Sequence, residues 1–214
     1  MQKYISEFIG TFILLVSIVG SGIAGQQYTN DQMVILFCHA VVIGFTLIFI
    51  IRIFANFSGA HFNPIVSIIF FLQKELSSRD LFLYILIQII AAVLGTLFAN
   101  YIFGLNVIEI SSNIRSGANI YISEFFAATG LLLVILLSRA DGKNVVSFNV
   151  GIYITAALIF TSSTSFANPA VTIARMFTES FTGINPSTVI FFISCQVIGM
   201  FAAYILYNQF FKSK

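Results

Sequence analysis

Charge is what this 214-residue sequence has least of: Asp, Glu, Lys and Arg together make up 8% of it. Tryptophan is absent, and there are only two cysteines, two histidines and three prolines. A water-soluble domain carries roughly 25% charged residues, so this chain cannot clothe a surface that faces water. The net charge of +2 is too small to indicate a nucleic-acid partner. Cys38 and Cys195 both fall inside apolar runs, where a thiol is an ordinary small packed group, and no zinc-ligand spacing exists. No metal or cofactor motif is present. Lys3 is the one basic residue ahead of the first apolar run and no small-residue cleavage site follows, so that run is expected to stay in the membrane.

What is abundant is hydrocarbon. With 58% hydrophobic residues and a mean hydropathy of +0.99, the chain has room for about six or seven spans of about 20 residues each. Apolar runs at 8–24, 33–53, 81–103, 122–137, 145–161 and 189–207 predict six spanning helices. Two further apolar segments, 63–72 and 168–178, are too short to cross about 30 Å of hydrocarbon. Both begin with Asn-Pro, a helix start in which Asn caps and proline has no N–H to lose. They read as half-helices that enter the membrane and stop; Asn185-Pro186 opens the last span in the same way.

Basic residues set the orientation. With six spans and an internal N-terminus, the inside holds Lys3, Arg52, Lys74, Arg79, Arg139, Lys143, Lys212 and Lys214, and the outside only Arg115 and Arg175. Both termini are therefore expected in the cytoplasm, and the protein in the cell membrane.

The chain is also a doubled half. Ile5-Ser6-Glu7-Phe8 returns as Ile122-Ser123-Glu124-Phe125; Phe62-Asn63-Pro64-Ile65-Val66 returns as Ala167-Asn168-Pro169-Ala170-Val171; and the Gln88 of the third span is echoed by Gln196 of the sixth. The landmarks keep their order, each half holding three spans and one Asn-Pro piece. An odd number of spans turns the second copy upside down, so the half-helices enter from opposite sides and meet near the midplane. One membrane domain over 1–214 is expected, built from a repeat at 1–108 and an inverted repeat at 117–214.

Gly59-Ala60-His61-Phe62-Asn63-Pro64-Ile65-Val66 and Phe166-Ala167-Asn168-Pro169-Ala170-Val171 resemble the two signature loops of the aquaporin (major intrinsic protein) family. The resemblance extends over essentially the whole chain, including the Glu of spans one and four. It implies an all-α membrane fold of six tilted helices around two re-entrant half-helices, assembled as a homotetramer with one pore per subunit. Asn63, Pro64 and Ile65 with Asn168, Pro169 and Ala170 would form the pore centre. There the two Asn side chains and the positive half-helix ends face whatever occupies the midplane. Irregular backbone at membrane depth must line water or be buried. The resemblance implies that Gly59, Ala60, His61, Ser165, Phe166 and Ala167 supply pore carbonyls. For His61 itself, a vestibule role and a packed, hydrogen-bonded role both fit; His39 is assigned no role. Glu7 and Glu124 would be coupling or catalytic groups in a pump or enzyme. Their symmetric placement favours carboxylates that brace the re-entrant loops.

The sequence departs from the family at its outer filter. Most members carry an arginine directly after the second Asn-Pro-Ala; here that position is Val171, followed by Thr172. Counting from the Asn-Pro landmarks puts the other filter positions on Ile43, Ala156 and Ser165. The Asn-Pro-Ala-Val-Thr loop resembles a bacterial, aquaglyceroporin-like subgroup, some members of which are linked to arsenite. That implies a passive channel for water and glycerol-sized polyols or neutral metalloid acids. A water-selective pore is the alternative. A proton-coupled transporter or intramembrane enzyme would need close ionisable pairs that the spans do not offer. Arg175 stands four residues after Val171, on the same helical face. It would either restore charge near the filter or pair with Glu179 four residues on, for only about 0.2–0.5 kcal/mol.

Overall fold

The computed structural model describes residues 1–211. Lys212 and Lys214, two of the expected inner basic residues, lie outside the described residues. Eight α-helices follow one another: α1 (Gln2–Tyr28), α2 (Gln32–Phe54), α3 (Pro64–Leu72), α4 (Ser78–Ile102), α5 (Ala118–Ser138), α6 (Lys143–Phe160), α7 (Pro169–Ala174) and α8 (Pro186–Leu206). A π-helical turn, Tyr207–Phe211, extends α8. Six of the eight are long and apolar enough to cross a membrane. Even the 18 residues of α6 reach about 27 Å at 1.5 Å per residue.

Each of the six long apolar runs lies within one of these helices to within one residue, and every one of the six helices starts before its run. Of the two short segments, 168–178 outlasts its helix, which ends at Ala174. α1 starts six residues earlier than its run, and Lys3 and Tyr4 on that extension bind Asp80 at the start of α4, at 2.8 and 2.6 Å. Hydrophobicity marks the hydrocarbon; the helix itself continues until a cap stops it. At the starts of α2, α4 and α8 the caps are side chains: Asp31 accepts from Met33 and Val34 N–H, Ser77 from Asp80 N–H, and Asn185 from Ser187 N–H ahead of Pro186.

α1 packs on α4, α5 on α8, and α2 on α6 across the middle; α3 and α7 each lie against both α4 and α8. Small residues make these approaches close. A Cβ on Gly44 would stand 2.9 Å from the Gly151 carbonyl oxygen, and one on Gly151 would stand 2.6 Å from that of Gly44. The backbones of α2 and α6 thus touch at a mutual glycine contact. Gly95 on α4 meets the Phe12 carbonyl of α1 in the same way, at 2.6 Å. Outward, the bundle shows large apolar side chains such as Phe45, Phe82, Ile122 and Phe148. Lipid asks for such a surface, and water would penalise it.

The basic residues sort to opposite ends. Lys3 meets Asp80, Arg139 meets Glu75, and Lys143 donates to Asn56, all at one end. Arg115 donates to the carbonyls of Phe181 and Gly183 at the other.

Candidate functional site

The site begins with strained backbone. Gly59, Ala60 and Phe62 have φ of 87°, 53° and 49°; Thr164, Ser165 and Ala167 have 57°, 44° and 46°. Each of the second three stands 105 residues after its counterpart, the same step that separates Asn63 from Asn168. Non-glycine residues in this left-handed region cost of order 1–3 kcal/mol each, so something must hold them.

The two buried glutamates do the holding. Glu7 accepts from Ser58 Oγ (2.7 Å) and His61 N–H (2.9 Å) on one oxygen. Its other oxygen accepts from Phe62 N–H (2.7 Å) and Gln88 Nε2 (2.8 Å). Glu124 accepts from Phe166 N–H (3.2 Å), Ala167 N–H (2.5 Å) and Gln196 Nε2 (2.7 Å). Gln88 and Gln196 also donate to Ser67 Oγ and Thr172 Oγ1, at 3.0 and 2.9 Å, and those hydroxyls donate back to the carbonyls of Asn63 and Asn168. The two halves repeat the backbone and glutamine bonds of this network, to which the Ser58 hydroxyl adds a bond in the first half, and neither glutamate borders the lumen.

Asn63 and Asn168 cap α3 and α7. Asn63 Oδ1 accepts from Ile65 N–H, and Asn168 Oδ1 from Ala170 and Val171 N–H, with Pro64 and Pro169 opening the helices. Their amide groups then cross over: Asn63 Nδ2 donates to the Ala167 carbonyl at 2.8 Å and Asn168 Nδ2 to the Phe62 carbonyl at 2.9 Å. Each residue before one Asn is thus fastened to the other Asn, so the half-helices meet by their N-termini. An amide has two N–H donors; one of each pair is engaged, and both Asn residues line the cavity.

That cavity has a volume of about 370 Å³. Its walls are staves of residues four apart: Ile43, Leu47 and Ile51 on α2; Leu131 and Ile135 on α5; and Val146, Val150, Ile154 and Leu158 on α6. Leu14 and Ile18 of α1, Val66 of α3 and Val171 of α7 complete the apolar wall. A polar track runs along it. Gly59, Ala60, His61, Ser165 and Phe166 line the cavity, and among the described residues no protein donor reaches their carbonyls. At membrane depth such carbonyls need a hydrogen-bonding lumen. The Ala167 carbonyl, expected in this track, instead receives the Asn63 amide.

Of the four filter positions, Ile43, Ser165 and Val171 border the lumen and Ala156 does not. Ala156 is exposed on the outer face of α6. It lies two residues, about 200°, from both Ile154 and Leu158, which face inward. The count from the Asn-Pro landmarks therefore misses by two, and Ile154 and Leu158 occupy the lumen face instead. Arg175 borders the lumen in a 3-10 turn, Arg175–Phe177, that closes α7. Its Nε donates to the Thr182 carbonyl, and its guanidinium carbon lies 3.4 Å from the centre of the Phe166 ring. Glu179 is engaged elsewhere, accepting from Ser112 N–H and Oγ. The Arg175–Glu179 pair is not formed.

Both readings of His61 hold at once: it borders the lumen, and its Nδ1 lies 3.1 Å from Ser67 Oγ with its ring stacked on Phe70. His39 is buried off the lumen against Ser21 Oγ at 2.8 Å. The sequence groups Arg139 and Lys143 at one end of the spans but not Glu75 with them. All three border one end of the cavity, with Arg139 bound to Glu75 at 2.5 Å and lying over Phe70 at 4.8 Å. Glu75 follows α3 in the first half, whereas Arg139 lies in a 3-10 turn after α5 and Lys143 opens α6 in the second, and no spacing along the chain connects Glu75 to them. Among the described residues, no group of three or more His, Cys, Asp or Glu side chains is placed to hold a metal ion.

Comparison with known proteins agrees with this geometry. The chain is 38% identical over 205 residues to the aquaglyceroporin AqpS of Rhizobium meliloti (strain 1021), covering 96% of this chain and 88% of that one. It is 27% identical over 161 residues to nodulin-26 of Glycine max, covering 74% of this chain but only 58% of that one. The aquaglyceroporin of Plasmodium falciparum has the same fold, with a TM-score of 0.78 at 22% identity over 98% of this chain and 96% of the other. The family profile described as Major intrinsic protein matches residues 1–164. With paired Asn-Pro half-helices, six spanning helices and these relatives, the chain belongs to the major intrinsic protein family.

Proposed function

We propose that this protein is a passive channel for water and small uncharged solutes up to the size of glycerol or a neutral metalloid acid such as arsenous acid. The channel class follows from the family, and the relative AqpS carries the name aquaglyceroporin. One observation supports the wider solute range. Ile43, Leu158, Ser165 and Val171 border the lumen together with Phe166 and Arg175, and the position directly after the second Asn-Pro-Ala holds the short Val171.

Conduction follows from the wall. Apolar staves give a passing solute no strong binding site, while the carbonyl track replaces part of its hydration. At the centre, Asn63 and Asn168 each hold one free N–H toward the lumen. A water or hydroxyl oxygen accepting from both has its own hydrogens turned away, so a proton relay is interrupted there. The N-terminal ends of α3 and α7 add positive potential at the same point. Glu7 and Glu124 act as braces of the re-entrant loops, and the ionisable pair that borders the cavity, Arg139–Glu75, is a partly exposed pair at its mouth. The channel is read as one domain built from repeats 1–108 and 117–214. Both its termini are cytoplasmic, and it lies in the cell membrane as a homotetramer.

Stopped-flow swelling and shrinking of proteoliposomes with water, glycerol, urea and arsenous acid tests the reading. Glycerol and arsenous acid should enter without a pH gradient. A pore that passes water alone, or solute flux that follows an imposed proton gradient, overturns it.

A further inference from the structure

We propose that Arg175 is the charge barrier of the outer pore, so that charge and width, governed by Arg175 and Val171 respectively, reside on different residues. The inference rests on the channel reading above and goes beyond it in naming what keeps cations out of a widened filter.

Arg175 is 3% exposed and borders the lumen about one helical turn from Val171. Among the described residues it has no carboxylate partner: the two ion pairs present are Lys3–Asp80 and Arg139–Glu75. Its Nε is bound to the Thr182 carbonyl and its plane rests on Phe166, but among the described residues no protein acceptor meets its two Nη groups. A buried guanidinium is costly unless its donors are satisfied. Because the side chain borders the lumen, the contents of the pore are what remain to satisfy it. Arg175 thus makes a polar edge suited to solute hydroxyls, set against the apolar Ile43 and Val171.

The guanidinium is held in place from behind. Arg115 donates to the carbonyls of Phe181 and Gly183, at 2.8 and 2.9 Å, so it clamps the loop whose middle residue, Thr182, receives Arg175. The Arg115 guanidinium also lies 5.3 Å from the centre of the same Phe166 ring. Arg115 is a positioning residue, and Phe166 is shared between two cations.

The test is proton permeability relative to water permeability in proteoliposomes of purified protein, with an entrapped pH dye and a valinomycin-set potential. Arg175→Ala should raise that ratio about tenfold, the factor for a unit charge acting at about 6 Å through an effective dielectric of about 40. Arg175→Lys should keep the ratio low. The double variant V171R/R175A, which moves the charge one turn inward, should bring the ratio back down while cutting glycerol flux. Monodisperse elution and unchanged helicity verify assembly of each variant. An unchanged ratio in a well-assembled Arg175→Ala protein overturns the proposal. So does a raised ratio that neither Lys nor the relocated Arg suppresses, since that marks a damaged pore. Wild-type glycerol flux, measured in the same vesicles, separates failure of the channel reading from failure of this one.

Discussion

Replacing Glu7 with alanine should cost the fold far more than it changes the pore. The carboxylate receives four donors, and two of them, His61 and Phe62 N–H, belong to backbone that has no other partner. A buried donor left unpaired costs about 1–3 kcal/mol, so these two alone put the loss at about 2–6 kcal/mol. The left-handed turns at Ala60 and Phe62 would lose their restraint as well. Glutamine is expected to be little better. Oε1 faces Ser58 Oγ and His61 N–H, and Oε2 faces Phe62 N–H and Gln88 Nε2. Either orientation of the amide turns an NH2 group against a backbone donor. Glu75→Ala is the control, because its partly exposed pair with Arg139 belongs to a class of interaction worth about 0–1 kcal/mol. The readout is the fraction of detergent-purified protein that stays monodisperse through a temperature series, with solute flux measured on what survives. Glu7→Ala should fail well below wild type and Glu75→Ala close to it. If Glu7→Ala survives as well as Glu75→Ala while its solute selectivity changes, the carboxylate serves the lumen and the bracing role is wrong.

Val171→Arg should lower glycerol flux more than water flux in stopped-flow assays, because it fills the width that valine leaves; equal losses would count against Val171 as the width-setting residue. Gly95→Ala should destabilise the α1–α4 contact by about 1–3 kcal/mol, since its Cβ would stand 2.6 Å from the Phe12 carbonyl oxygen; unchanged thermal survival would show that the helices can part without cost. Glu179 lies outside the spans, and its bonds from Ser112 hold its carboxyl below the ordinary glutamate value. The anchoring of the outer loop it provides is therefore complete above that ordinary value and is lost as pH falls through the lowered one. Hydrogen exchange at Ser112 N–H, corrected for intrinsic rate, should show protection falling only in the acid range and absent at neutral pH in Glu179→Ala; protection that is flat with pH would contradict the assignment.

Most of the fold could be read from the sequence because a bilayer leaves the chain few choices. Apolar runs of spanning length had to be helices, and Asn-Pro on pieces too short to span had to be half-helices. Paired glutamates in equivalent spans needed equivalent partners, which the structure supplies as Ser58 and Gln88 for Glu7 and Gln196 for Glu124. The left-handed loop residues were harder to see. Gly59 alone carries a glycine signal; Thr164 stands in its place in the second half, so only the 105-residue step exposes the equivalence. Ala156 shows where counting fails. The distance from the second Asn-Pro back to α6 passes through Thr161–Ser165, a non-helical stretch in which residue number and depth are no longer proportional. A helical wheel places Ile154 and Leu158 together but cannot say which face turns inward. The inner pair and the clamp on Arg175 were beyond reach for a different reason. Glu75 meets Arg139, and Arg115 reaches Phe181 and Gly183, across 64 to 68 residues of chain with no periodicity to report it. The most constrained parts of this pore, its Asn-Pro centre and its bracing carboxylates, are written in local motifs. The inner pair and the clamp on Arg175 are carried by segments whose contacts depend on distant parts of the chain. Val171 announces in the sequence that the family's filter arginine is gone. The sequence also offers Arg175 one turn on, with Glu179 as a rival partner; only the fold shows that guanidinium bordering the lumen without Glu179, held by a carbonyl that a third residue keeps in place.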